Sequence, residues 1–560
     1  MKKKIFALLL VFTMLLPACG EGLLLGGSSS GNSVTSEQQG SSSSVEDKES
    51  STSIDTDSDS FESSDIDSDS SESNDSSDKN EQDGTHVDDN DDGVCDDCKT
   101  SVLVDFDFIA VNDLHGKFAD TDANEGVDEL STYIKQTRTE NENTILLSSG
   151  DMWQGSSESN LTKGMIITDW MNELDFLAMT LGNHEYDWGE EYIKQNAEIA
   201  EFPFLAINVY DNTTNERVDY CSPSVTVEKN GVKIGIIGAI GDCYSSISGD
   251  KVGNIYFKTG SQLTNLVKEE ANRLRADGVD FIVYSIHDGY GQSYNADQTI
   301  TGNLDYYDTT LSNGYVDLVF EGHTHQHYVI KDKNGVYHMQ DGGDNDGISH
   351  AEVKINYVTG SYTMVNADFV PTSEYDHLAD DPIVKTLLEK YADEIAAASK
   401  VLGTNSKYRT SYELLQKCAD LYFEAGVERW NEDYDIVLGG GFMSARSPYN
   451  LAVGTVTYGD LQSILPFDNQ LVLCSISGYY LKTKFFETSN SRYYISYGNY
   501  GEKVKNNIDN NATYYVVTDT YSSSYASNHL TEIERYDENV YARDLLARYI
   551  EKGGFGKGIG

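Results

Sequence analysis

The sequence predicts an α/β fold divided into two globular units, and three observations carry that expectation. Short apolar runs with the character of buried strands recur at 102–111, 144–149, 176–180, 281–286 and 316–320. Helical patterns over 129–138 and 161–174 lie between the early ones, and strand, helix, strand in that order argues for βαβ units with parallel pairing. Each run ends in a loop that holds Asp, Asn, Gly or His. Loops at that end of a parallel sheet are where α/β enzymes keep their chemistry.

Before residue 102 the chain reads differently. Lys2, Lys3 and Lys4 precede an apolar run over 5–16, which ends in Leu16-Pro17-Ala18-Cys19. The run is too short to span a bilayer, and with a cysteine at its boundary it resembles a bacterial lipoprotein signal occupying 1–19. That resemblance implies lipid attachment at Cys19 and an extracytoplasmic, membrane-anchored protein; two or more acyl chains make a durable anchor. Residues 20–85 are a Ser/Asp/Glu/Gly mixture without apolar periodicity, expected to be a disordered acidic tether. A small Asp/Cys unit follows over 86–99. Asp88, Asn90 and Asp92 with Gly93 match the start of an EF-hand loop, and with Asp96 they suggest a structural calcium site. The later bidentate glutamate and the flanking helices are missing. Cys95 and Cys98 could instead join His86 around zinc or form a local disulfide, and the stretch could also be no more than further acidic tether.

The net charge of −52 and the hydrophobic fraction of 39% fit a chain that is partly unpacked. So acidic a protein is not expected to bind nucleic-acid polymers. A small phosphorylated ligand can approach if cations are bound locally.

From 102 onward three segments are expected: a first domain over 102–370, a bridging helix within 371–402, and a second domain over 403–560. Residues 226–240 and 329–369 read as antiparallel strands with turns at Lys229-Asn230-Gly231 and Lys333-Asn334-Gly335. A helix over 382–400 bridges the domains. A helix over 413–430 and a strand over 436–438 open the second, and the strand runs into a turn, Leu438-Gly439-Gly440-Gly441, suited to close approach of a ligand. No later segment has the length and apolarity of a membrane span.

Five of the eleven histidines, His115, His184, His287, His323 and His325, directly follow these strands. Scattered surface histidines would not choose that position five times. Asn183 adds a neutral oxygen ligand, His184 can carry a proton near neutral pH, and Asp187 can orient its ring.

Asp113-Leu114-His115, Gly150-Asp151, Gly182-Asn183-His184-Glu185, His287 and Gly322-His323-Thr324-His325 together resemble the signature set of calcineurin-like metallophosphoesterases. Asp187 and Leu465-Pro466-Phe467-Asp468-Asn469 narrow the resemblance to the bacterial 5′-nucleotidase family, with its UDP-sugar hydrolases and 2′,3′-cyclic nucleotide phosphodiesterases, across roughly 102–550. It implies a four-layer α/β/β/α metallophosphoesterase domain joined by a helix to a smaller α/β C-terminal domain. It further implies one metal on Asp113, His115, Asp151 and His325, and a second on Asp151, Asn183, His287 and His323, with Asp151 bridging. Such a mixed oxygen and nitrogen set suits two divalent ions of the Zn, Mn or Fe class. Two ions can share a water, lower its pKa from about 16 towards 7, and clamp the phosphoryl oxygens during in-line attack. His184 would then stabilise or protonate the leaving group while Asp187 fixes its tautomer.

In the family the C-terminal domain binds the nucleoside part. Where an aliphatic residue and a substrate-contacting arginine usually follow the glycines, this chain has Phe442 and Met443, and Arg446 is the nearest arginine. Tyr521, Tyr525, Tyr494 and Tyr497 are candidates to stack a base, with Asp519 and Asn469 in the same pocket stretches. Cys221, Cys243, Cys418 and Cys474 are too scattered to form a metal cluster. The expected activity is release of phosphate from nucleotides by a monomeric enzyme. A cyclic-nucleotide phosphodiesterase, a nucleotide-sugar hydrolase and a non-catalytic surface binding protein are the alternatives.

Overall fold

The computed structural model describes residues 86–120, 125–289, 311–445, 450–488, 492–498, 503–526, 528–537 and 540–556. The signal-type stretch with Cys19, the tether and Arg446 lie outside them, and all described residues belong to one compact unit.

Two six-stranded sheets form the first half. In the first, Leu103–Val111, Ile145–Ser148, Ala178–Thr180 and Phe204–Leu205 run parallel, and Gly347–Asn356 and Tyr362–Pro371 continue it antiparallel. In the second, Val232–Ile240, Phe281–His287, Leu318–Phe320 and Tyr337–Asp341 run parallel, with antiparallel edges at Ser224–Lys229 and His327–Lys331. Phe106, Phe108, Leu147, Ile234, Phe281, Val283 and Phe320, all fully buried, fill the space between the sheets. Both outer faces are covered by helices. Asp128–Glu140 and Met165–Glu173 seat Leu130, Ile134 and Trp170 on the first sheet. Ser261–Ala276 seats Val267, Ala271 and Leu274 on the second. Helix, sheet, sheet, helix is the expected four-layer order, and it carries the carboxyl ends of the parallel strands to a common edge.

The second half is built on a five-stranded mixed sheet in the order Tyr493–Ser496, Ile436–Phe442, Thr513–Asp519, Leu471–Ser477, Leu530–Arg535. Helix Ser411–Trp430, opened by a capping box between Thr410 and Glu413, packs Cys418, Ala419, Tyr422 and Phe423 onto this domain's core.

Three local expectations are corrected. The bridging helix is broken, with Pro382–Lys390 and Ala392–Ile395 separated at Tyr391. That residue leaves helical geometry to bury its ring and donate its hydroxyl to Asp169 at 2.6 Å. The helix expected over 161–174 is two, Ser157–Thr162 and Met165–Glu173, because Lys163 and Gly164 both adopt positive φ. The glycines after Leu438 are not a turn: Ile436–Phe442 is one strand running straight through them. A Cβ on Gly439 would lie 2.3 Å from the Phe423 nitrogen, and one on Gly440 2.1 Å from the Tyr494 carbonyl oxygen. The close approach those glycines permit is to protein rather than to a ligand.

Candidate active site

The loops that leave three strands of the two sheets share a conformational oddity. Asp113, His115, Asp151, His323 and His325 all have positive φ, between 48° and 71°. Side-chain-bearing residues adopt this left-handed region at a cost of about 1–3 kcal/mol each and hold it only where the surroundings dictate it. Strain of this kind gathers where side chains must be aimed.

These side chains converge. Ligand-capable atoms of Asp113, His115 and His325 lie within 4.8 Å of one another, as do those of Asp113, Asp151 and His287. Asp113 thus belongs to both groups, whereas Asp151, expected to bridge, falls in one. His323 groups with His287 and Cys243, whose thiol donates to the His287 carbonyl at 2.9 Å. The Nε2 atoms of His115 and His325 are 3.0 Å apart, and Asp113 Oδ1 is 3.4 Å from the latter. Asp113 Oδ2 accepts from Asn112 Nδ2 and the His323 N–H, while Oδ1 is buried without a donor. Asn183 Oδ1 is likewise buried without a hydrogen-bond partner, and His287 Nε2 lies 3.0 Å from Asp151 Oδ2. The outer nitrogens of two rings face carbonyls, His115 Nδ1 at 2.9 Å from Gln154 O and His287 Nδ1 at 2.7 Å from Ser149 O. A carbonyl only accepts, so each Nδ1 carries a proton and each Nε2 faces inward.

The electrostatics agree. Burial alone would push the Asp113 and Asp151 carboxyls up, yet the histidines around them, His325 and His287 foremost, hold both below the usual range. Burial would push His287 down, but Asp151 and Asp113 carry it up to about 10. His323 is pushed down to about 4 by burial and by the charge on His287. Two buried carboxylates balanced by a buried imidazolium, beside donor-less inward oxygens, form a site that a divalent cation fits by displacing a proton.

One residue quoted in the motif but given no role holds the site in shape. Glu185, fully buried, accepts the N–H of Gly182 at 2.7 Å and Asp151 at 2.9 Å on Oε2, and of Met152 at 2.9 Å and Trp153 at 3.3 Å on Oε1. It ties the loop bearing Asp151 to the loop bearing Asn183. Burial raises its carboxyl to about 7. Nothing in the order of letters says that this glutamate turns inward while its neighbour His184 turns out.

His184 Nδ1 is 2.7 Å from Asp187 Oδ2, and the His184 ring sits 5.2 Å from that of His115 and 6.1 Å from that of Phe467. The loop bearing Phe467 is clamped by two cations that sequence reading missed. Arg543 binds Asp468 and donates to the carbonyls of Leu465 at 3.3 Å, Pro466 at 3.1 Å and Phe467 at 3.1 Å, and Lys163 meets Asp468 at 2.7 Å. Burial would raise Asp468, but Arg543 and then Lys163 bring its carboxyl below the usual range. The Lys163 ammonium, by contrast, is pulled down by burial more than Asp468 lifts it, so Arg543 is the stronger partner. A carboxyl depressed in the folded state adds stability above its unfolded pKa of about 3.9 and loses it as pH falls through the folded value. Asp468→Asn is therefore expected to cost about 3 kcal/mol near neutral pH. In urea titrations at several pH values the gap from the parent should close below about pH 4.

Other expected contacts are placed differently. Asp519 is buried; its oxygens accept the Ser522 N–H at 2.7 Å and the Tyr422 hydroxyl at 3.0 Å, so it caps the helix Thr520–Tyr525. Tyr494 is buried against Tyr412, and Tyr497 stacks on Phe486. Phe442, Tyr521 and Tyr525 do come together, Phe442 lying parallel to Tyr525 at 4.7 Å and Tyr521 at 5.8 Å from Phe442. That spacing leaves no room for a base between Phe442 and Tyr525, but Tyr525 keeps an exposed face. Asn469 is half-buried next to Asp468. In the 86–99 unit the expected calcium oxygens are engaged with donors. Asp88 accepts from the Asp92 and Gly93 N–H and from Asn356, and Asp96 from the Asp89 N–H, while Asn90 donates to Asp92. These contacts pin a turn.

Residues 106–327 match the family model of the calcineurin-like phosphoesterases. The chain carries a calcineurin-like phosphoesterase domain and is a metal-dependent phosphoester hydrolase. A protein UshA from Yersinia enterocolitica is 25% identical over 423 residues, covering 67% of this chain and 74% of that protein. A 5′-nucleotidase from Vibrio parahaemolyticus is 23% identical over 417 residues, covering 66% and 71%. The fold is shared with the crystal structure of a 5′-nucleotidase precursor from Thermus thermophilus, at a TM-score of 0.61 and 20% identity, over 82% of this chain and 100% of that one. Within its class the chain is similar to proteins named 5′-nucleotidase and UshA.

Proposed function

We propose that the protein is an extracytoplasmic 5′-nucleotidase, anchored through Cys19 and acting as a monomer, that releases phosphate from nucleotides at a dinuclear centre. One observation supports the reading: Asp113, His115, Asp151, His287, His323 and His325, from four strand ends, fall into overlapping ligand-capable groups, and Asp113 Oδ1 and Asn183 Oδ1 are buried without donors. Asp113, His115, Asp151 and His325 would hold one cation, and Asp151, Asn183, His287 and His323 the other. When bound, ions of the zinc, manganese or iron class lower the pKa of a shared water and draw charge from the phosphoryl oxygens during in-line displacement.

The chain's own groups supply the rest. Asp187 holds His184 by Nδ1, which leaves Nε2 on the opposite side of the ring to give its proton to the departing oxygen. Phe467, fixed by Arg543, lies beside that ring and limits water around it. Among the described residues no helix is long and apolar enough to cross a membrane, so membrane attachment rests on Cys19 in this reading.

The test is a panel of AMP, ATP, 2′,3′-cyclic AMP and UDP-glucose, with phosphate release measured on protein loaded with Mn(II). AMP hydrolysis is expected to lead. A preference for the cyclic or sugar substrate would replace the nucleotidase reading, and no hydrolysis of any would leave a binding protein. Dialysis against a chelator is expected to abolish phosphate release, and added Mn(II) to restore it, as followed by a colorimetric phosphate assay.

A further inference from the structure

Among the described residues, one cluster outside the active site joins soft ligands. His86 Nδ1 lies 3.4 Å from Cys98 Sγ, and both lie within 4.8 Å of Cys95 Sγ. Around tetrahedral zinc, with Zn–S of about 2.3 Å and Zn–N of about 2.0–2.1 Å, a sulfur and an imidazole nitrogen stand about 3.6 Å apart. Donors already face both sulfurs. The Cys98 N–H points at Cys95 Sγ at 3.5 Å, and the Thr100 hydroxyl, which can donate or accept, lies 2.9 Å from Cys98 Sγ; both contacts are open to thiolates. Both cysteines are free thiols. A disulfide between them would give the imidazole no task at the same point.

The segment also needs a staple. Across 86–99 the one buried apolar side chain is Cys95, too little core to fix a fold unaided. The segment is nevertheless docked on the hairpin turn after Gly347–Asn356. Asp88 and Asp91 accept from Asn356, Asp91 accepts from Thr359 and Ser361, and the His86 ring meets Tyr357 edge-on at 5.7 Å. Leu103 pairs with Asn356, so the cluster stands at the start of Leu103–Val111, whereas Asp113 follows that strand's end. Eight residue steps at about 3.3 Å separate the two by about 26 Å.

We infer that His86, Cys95 and Cys98 form a structural zinc site that fastens the segment 86–99 to the phosphoesterase domain, independently of the catalytic centre. Binding releases the two thiol protons, and solvent completes the coordination.

The full chain, isolated in reducing buffer and titrated with Co(II), is expected to develop thiolate-to-cobalt charge-transfer absorption that added Zn(II) bleaches. Cys95→Ser and Cys98→Ser should lose that absorption and one equivalent of bound zinc, while Mn(II)-supported phosphoester hydrolysis is retained. Cys243→Ser, which removes the thiol near His287, should keep the absorption. Absorption that survives in Cys95→Ser and Cys98→Ser, absorption that is absent from the parent, or a Cys95–Cys98 disulfide that persists in reducing buffer would each overturn the assignment. Should the serine variants fail to accumulate, His86→Ala retains both thiols. It is expected to weaken cobalt binding by about tenfold or more, and unchanged affinity would overturn the site.

Discussion

Glu185→Ala is expected to strip the enzyme of its metals and activity and to lower its stability by about 3–5 kcal/mol. The glutamate accepts four backbone N–H groups from two loops, and each is left without a partner when the carboxylate goes. An unsatisfied buried donor costs about 1–3 kcal/mol. Water entering the vacated space offsets part of the sum, which places the total near the loss seen when one partner of a buried charged contact is removed. The larger consequence is geometric, because Asp151 holds a left-handed backbone at φ 55° and Glu185 binds its N–H. Freed, that residue relaxes towards ordinary φ and its carboxylate swings out of line. Glu185→Gln should fall between, since its amide presents one acceptor oxygen and turns N–H groups towards donors. Thermal melting with metal analysis of the purified variants checks this; an alanine variant that melts like the parent with full metal content would refute it.

His184→Ala is expected to lower kcat by about 10²–10⁴, the usual worth of a positioned proton donor, while metal content and stability stay near the parent's. His184 is partly exposed, and its side-chain hydrogen bond runs to Asp187. Truncation should therefore remove proton delivery without opening the centre. Asp187→Asn should reduce kcat less, because the ring stays in place but loses the carboxylate that fixes its orientation and tautomer. Steady-state kinetics with parallel metal determination separates the outcomes. A fall in activity that merely tracks metal loss would place His184 among the ligands instead.

Much of this centre was legible because the chemistry sits at strand ends. Asp113, Asp151, Asn183, His184, His287 and His323 follow or end apolar runs whose strand character needs no tertiary knowledge, and parallel pairing then carries them to one edge. What the letters concealed depends on where side chains turn. Glu185 and His184 are adjacent, yet one is fully buried and the other faces Asp187. Arg543 lies 75 residues beyond Asp468 and clamps it all the same, a contact with no local signature. Asp519 sits in a stretch that reads as a pocket, but an aspartate before a short helix is also an N-cap, and the cap prevailed. The glycine run after Leu438 signalled close approach correctly and the partner wrongly, since helix Ser411–Trp430 supplies the surface that presses on it.

The docking of 86–99 at the beginning of Leu103–Val111 puts the chain's entry into this domain and the loops bearing Asp113 at opposite ends of one strand. Force transmitted through residue 86 enters the sheet at the pole remote from Asp113.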